Sequence, residues 1–179
     1  MAVDMSNVKQ IMHNNKEVIK IEDSSGHVIW QKGPSASWHT LWEGTQECSA
    51  WAWYGNWYKY TPSSPVTLCT IDTSTIPDLS NVQCRITFSK MEADGNSTSY
   101  IPSTKPTSPY TFTDITKGRI VLEAKGIASN DAYWCMALIA ISRSGNTTYF
   151  RASVSRSGTP AQYEGYKGEI TVTKIELYY

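Results

Sequence analysis

Catalysis needs reactive side chains in groups, and this chain of 179 residues offers few. Its three histidines are His13, His27 and His39. No GxSxG, HExxH, P-loop or GxGxxG occurs. His39 and Glu43 are four apart, which on a strand gives one face but a separation of about 13 Å. That is too far for one metal, so His39 reads as structural or solvent-facing. The carboxylates Glu43, Glu47, Asp72, Asp78, Glu123 and Asp131 are scattered. A glycosidase needs two facing carboxylates at a set separation, and nothing in this spacing pairs them. Asp94-Gly95-Asn96 and Asn130-Asp131 lack the ligand density of a calcium loop and read as turns. The expectation is a protein that is not an enzyme, with no cofactor and no metal.

The four cysteines, Cys48, Cys69, Cys84 and Cys135, form no CxxC pair. Each lies in or beside an apparent strand among apolar neighbours, which suits buried free thiols. Asn96-Ser97-Thr98 and Asn146-Thr147-Thr148 match the glycosylation sequon. No secretory signal is recognisable at the start, so both read as turns.

The aromatic run is the richest candidate. Trp51, Trp53, Tyr54, Trp57, Tyr58 and Tyr60 fall within ten residues, with Trp38 and Trp42 upstream. One reading is a core strand pair turning at Gly55-Asn56, with Trp51 and Trp53 filling a sandwich and the tyrosines at its rim. A second is a subunit interface. A third is a platform on which sugar rings stack, with Trp51, Trp53, Tyr54, Trp57 and Tyr58 as the contacts to a glycan or partner.

The elements that position these residues are strands throughout. From Trp38 onward the candidates are 38–43, 49–60, 66–72, 82–90, 110–115, 119–125, 132–142, 147–155 and 168–179. Turn chemistry at Asp94-Gly95-Asn96, Thr116-Lys117-Gly118, Ser144-Gly145-Asn146 and Ser157-Gly158-Thr159-Pro160 separates them. No sustained helical period appears. Many short strands with regular turns define an all-β, jelly-roll-like antiparallel sandwich. Ala132–Ser142 is almost continuously apolar, as a central strand covered on both faces, or a buried strand touching a neighbouring subunit, would be. In the last strand the apolar phase shifts from Ile170 and Val172 to Ile175 and Leu177, which implies a bulge near Thr173-Lys174. Pro102–Pro109 carries three prolines in eight residues. It must be a loop, and a contact role is its functional reading.

The first 33 residues differ from the rest. Val8–Lys32 reads as a three-stranded meander turning at Asn14-Asn15 and Ser24-Ser25-Gly26. So small a sheet cannot bury enough apolar surface to stand alone. It nevertheless carries Ile11, Met12, Val18, Ile19, Ile21, Val28, Ile29 and Trp30. These are candidate anchor or interface residues that must dock on something. Gly33-Pro34-Ser35-Ala36-Ser37 reads as a linker. The expected domains are therefore 1–33, a β-meander anchor, and 34–179, a sandwich.

Formal net charge is zero. That argues against a nucleic-acid binder working by phosphate neutralisation, and against an anionic-membrane binder. No apolar run approaches the ~20 residues that span a bilayer. The string VKQIMHNNKEVIKIEDSSGHVIWQKG resembles the N-terminal segment of small structural proteins of tailed bacteriophages. The plan resembles them too: a β module, a Gly-Pro linker, and a Thr/Ser/Tyr-rich sandwich ending in GEITVTKIELYY. The resemblance covers the first 33 residues best and carries no catalytic residues. It implies a non-enzymatic virion protein, made in the bacterial host cytoplasm, docked on the capsid, neck or tail, and displaying its sandwich as a decoration, fibre or adaptor. Other virion proteins and further copies of the chain are its expected partners, since virion parts repeat around symmetry axes. A carbohydrate-binding module that recognises a host-surface glycan through segment 51–60 is the alternative.

Overall fold

The computed structural model describes residues 11–13, 16–18, 20–22, 25, 27–31, 36–53, 56–76, 78–127, 134–158 and 165–179. The chain divides into two compact units, Met1–Ala36 and Ser37–Tyr179.

In the first unit, β1 (Ile11–His13) pairs antiparallel with β2 (Lys16–Val18), and β3 (Lys20–Glu22) with β4 (Val28–Gln31). Ile11 lies opposite Val18, and Ile21 opposite Trp30. The segment expected as the middle strand of a meander thus supplies β2 to one pair and β3 to the other, with Ile19 between them outside the described residues.

The second unit is an all-β sandwich. Its strands are β5 (Trp38–Trp53), β6 (Asn56–Thr61), β7 (Val66–Asp72), β8 (Gln83–Asp94), β9 (Ser97–Ile101), β10 (Tyr110–Thr113), β11 (Arg119–Ile127), β12 (Trp134–Ser144), β13 (Thr147–Ser157) and β14 (Tyr166–Tyr178). One five-stranded sheet has the order β10-β8-β14-β5-β6, and the other β7-β13-β12-β11-β9. Every pairing is antiparallel. β11, β12 and β13 follow one another in an up-and-down run, while β5 pairs with β14 and β7 with β13 across long stretches of chain.

β14 is the central strand of the first sheet. Its register slips at Thr173 against both neighbours. Ile170 and Val172 thus face inward before the slip and Ile175 and Leu177 after it, all four fully buried. Seen from sequence, 38–43 and 49–60 are two strands. The structure runs β5 unbroken through Gly44 instead. Its surplus residues are absorbed as register shifts opposite Thr173 and between Ile175 and Glu176, which is how a bulged strand stays paired with a shorter one. The chain ends of this unit close on each other. The Ser37 N–H donates to the Tyr179 carbonyl at 3.1 Å, and the Tyr179 N–H to the Ser37 carbonyl at 3.3 Å.

The core lies between the sheets, built around Ile86, Leu122, Ile139, Phe150, Tyr166 and Leu177. At one end small residues replace large ones. Ala50, Gly168 and Ala93 form a row across the first sheet, and Ala124 and Ala137 a row across the second. Gly126 and Gly168 carry this close approach. A Cβ on Gly126 would lie 1.9 Å from the Asp94 carbonyl oxygen, and one on Gly168 2.7 Å from that of Ala124. The sheets there meet backbone to backbone, where side-chain layers ordinarily hold them about 10 Å apart.

Candidate functional site

The candidate anchor residues lie in the first unit. Val28 on β4 is 51% exposed, and Ile21 on β3 is half-buried. Ile11, Val18, Ile29 and Trp30 occupy strand positions, but their side chains lie outside the described residues, as do Met12's and the whole of Ile19. His13 and His27 are both exposed, and a ring nitrogen of His27 lies 3.2 Å from the Ser25 hydroxyl.

In the aromatic run, β5 and β6 pair across the turn, with Ala50 opposite Tyr60, Trp51 opposite Lys59 and Ala52 opposite Trp57. The expectation that Trp51 fills the sandwich is corrected. Ala50 and Ala52 are fully buried, while Trp51 between them is 39% exposed. The pleat decides this: alternate residues of β5 point in, and the small ones match the narrow end of the core. Tyr54 lies outside the described residues, as do the side chains of Trp53, Trp57 and Tyr58. Trp38 packs on Tyr178 with ring centroids 5.4 Å apart, and the Arg85 guanidinium sits 3.9 Å above its ring. His39 stacks on Tyr179 at 4.4 Å, a structural role at the seam of the chain ends.

Trp51 stands on the outer face of the first sheet, beside Lys167 on β14. The rest of that face is a ladder of opposite charges. Arg85 donates to Glu176 at 2.8 Å, and Lys174 lies 3.1 Å from the same carboxylate. Lys90 reaches Glu169 at 3.0 Å, and Lys167 reaches Glu92 at 2.9 Å. Arg85 foremost, with Lys174, holds the Glu176 carboxyl below the usual carboxylate range. Lys167 does the same for Glu92. Carboxylates already engaged by cations are poorly placed for general acid–base work, which needs a pKa near the working pH. Glu123, on the outer face of the second sheet, is buried. Desolvation raises its pKa, opposed by nearby Lys125. Among the described residues no three of His, Cys, Asp and Glu gather as metal ligands would.

The cysteines are free. Burial pushes the Cys48 and Cys69 thiols up to about 12, and those of Cys84 and Cys135 higher still. A thiol so raised is a poor nucleophile at neutral pH.

A further cleft lies between the two sheets at their open edges. β10 is an edge strand of the first sheet. In the second sheet β9 stops at Ile101, opposite Glu123, so β11 runs on toward Arg119 with that edge uncovered. The hollow between them is about 410 Å³ and is lined by Ile101, Tyr110, Phe112, Thr113, Arg119 and Ile120 among others. Ile101 is 39% and Ile120 38% exposed. The loop Pro102–Pro109 joins β9 to β10 beside it, and its Ser108 hydroxyl accepts the Phe88 N–H at 2.9 Å. Sequence reasoning singled out that loop but not Tyr110, Phe112 or Arg119. The available signal was an arginine opening a strand directly after the Thr116-Lys117-Gly118 turn.

Comparison with protein-family models, with curated proteins and with solved structures finds no match for this chain.

Proposed function

We propose that this chain is a non-enzymatic structural protein of a tailed-bacteriophage virion. Its first unit docks on the particle and its sandwich is displayed. The observation that carries this reading is the division of the chain into two compact units of very different size. The buried core of the larger unit is built from its own residues, Cys48 to Leu177. The smaller unit leaves Val28 half-exposed on a two-stranded hairpin. A hairpin of that size gains its stability by packing on something else. The resemblance of residues 8–33 to phage structural proteins supplies the context, and repeated virion parts supply further copies of the chain as partners. The test is Val28→Asp in the full chain. Self-association followed by light scattering is expected to weaken while the melting of the sandwich stays unchanged. Unaltered association would count against docking through β4.

A second reading is favoured by one observation, the exposure of Trp51. An indole on a rigid strand is a suitable surface for the apolar face of a sugar ring. On this reading the sandwich binds a host-surface glycan through segment 51–60, and Trp51→Ala removes binding to a neutral oligosaccharide without loss of stability.

A further inference from the structure

The outer face of the first sheet and the cleft at its edge treat their cations differently. On the face, Arg85, Lys90, Lys167 and Lys174 each have a carboxylate within 4 Å. In the cleft, Arg119 has none among the described residues. Its guanidinium is held by neutral groups: Nη2 donates to the Thr113 carbonyl at 2.5 Å, and the group lies 5.2 Å from the Phe112 ring centroid. A guanidinium has five donors, and the Thr113 carbonyl takes one. The side chain is thus oriented and charged, with donors left over, and it is exposed. Beside it the Tyr110 and Phe112 rings stack at 6.2 Å, and Ile101 and Ile120 present apolar surface.

A second hollow of about 510 Å³ shares Thr113 and is lined by Asp114, Thr116 and Arg143 as well. Arg143 is again held by carbonyls, Gly145 at 2.7 Å and Thr116 at 3.4 Å, with no carboxylate partner among the described residues. The one carboxylate lining this hollow, Asp114, is already engaged by Thr116 at 2.7 Å and Lys117 at 3.2 Å.

We infer that these neighbouring hollows bind a carboxylate-bearing oligosaccharide, with Arg119 gripping a sugar carboxylate and Tyr110 offering ring surface beside it. Each part of the ligand has its counterpart. A planar guanidinium takes a carboxylate through two parallel bonds. Aromatic rings suit the C–H face of a sugar. Threonine hydroxyls suit its hydroxyls, donating and accepting alike. Two such cations flanking Thr113 suit an acid repeated along a chain better than a single acidic group. The site lies away from segment 51–60 and does not rest on the virion reading.

The test is calorimetric titration of the full chain with trigalacturonate and, separately, with neutral maltotriose. Trigalacturonate is expected to bind, maltotriose at least about tenfold more weakly, as befits loss of a charge-assisted hydrogen-bonded pair. Binding should weaken as salt is raised. Arg119→Gln is expected to lower trigalacturonate affinity by about tenfold or more, and Arg119→Lys by less, since it keeps the charge and loses the fork. Thermal melting of both variants reports that the fold is intact. Trp51→Ala should leave this affinity unchanged. Equal binding of the neutral sugar overturns the proposal, as does an unaffected Arg119→Gln, loss on Trp51→Ala, or no binding of trigalacturonate up to about 10 mM.

Discussion

Replacing Gly126 by alanine adds one methyl group where the two sheets meet, and the obstacles are backbone atoms rather than side chains that could swing away. The new Cβ would stand 1.9 Å from the Asp94 carbonyl oxygen, 2.3 Å from that of Lys167 and 2.9 Å from the Lys167 nitrogen. To reach even 3.0 Å the strands must part by more than an ångström. Parting them opens the packed row of Ala52, Cys135, Ala137 and Tyr166, all buried at 0–1% exposure. Overpacking a core costs about 1–3 kcal/mol, and rigid obstacles put this site at the top of that range or beyond. Alanine returns about 0.4–1 kcal/mol by restricting the unfolded chain. The net loss is therefore about 2 kcal/mol or more, a fall in Tm of roughly 3 °C per kcal/mol for a unit of this size. The assay is urea unfolding followed by tryptophan fluorescence. Gly118→Ala is the control, since its Cβ would meet nothing closer than the Ile141 carbonyl oxygen at 3.7 Å. It is expected to match or slightly exceed the parent. A Gly126→Ala midpoint within about 0.5 kcal/mol of the parent would refute the backbone contact between sheets, because surface-like tolerance is incompatible with it.

Three further outcomes follow from the same packing. Glu176→Gln is expected to destabilise by about 1–2 kcal/mol at neutral pH, since Arg85 loses a charged acceptor. The folded pKa of Glu176 lies below its ordinary 4.5, so this stabilisation is full above that pH and is lost as the pH falls through the lower folded value. Parent and variant should converge in acid, and a difference that persists there would assign the effect to packing. Ellman's reagent should react slowly with the native protein, reaching half-buried Cys69 first, and with all four thiols only in denaturant; a stoichiometric burst from folded protein would contradict the burial. Deleting Ile175–Tyr179 removes two fully buried side chains, Ile175 and Leu177, each worth about 1.5–3 kcal/mol. It also removes the pairing of the last part of β14, residues 175–178, with both neighbours. The total rivals the 5–15 kcal/mol that holds a domain together. The truncated chain should lack the near-ultraviolet circular dichroism of the parent, and a native spectrum would show β14 to be dispensable at its end.

Much of the sandwich was readable from residue pattern, because a strand's period of two leaves a direct trace. The shift from Val172 to Ile175 revealed the slip at Thr173, and the apolar run 132–142 revealed the middle strand β12, whose Cys135, Ala137, Ile139 and Ile141 are buried. Pairing information leaves less trace. β9 (Ser97–Ile101) is polar and short, and it is a strand because the edge of β11 lies beside it. Residues 44–48 fell between two expected strands and are spanned by β5 because β14 supplies partners on both sides of Gly44. Trp51 resembled core by size, but the narrowing of the sandwich at Gly126 and Gly168 leaves room on that face only for alanine. The cleft at Arg119 was invisible for the same reason. It is made by the ends of β9, β10 and β11, which lie in two different sheets.

The central claim is that the first unit is a docking element attached to a sandwich that folds by itself. Light scattering of the purified full chain beside the 37–179 fragment tests it directly, with circular dichroism to report folding. A folded, monomeric fragment and an oligomeric full chain is the expected result. A fragment that is insoluble or unfolded, or one that associates as the full chain does, would contradict the claim.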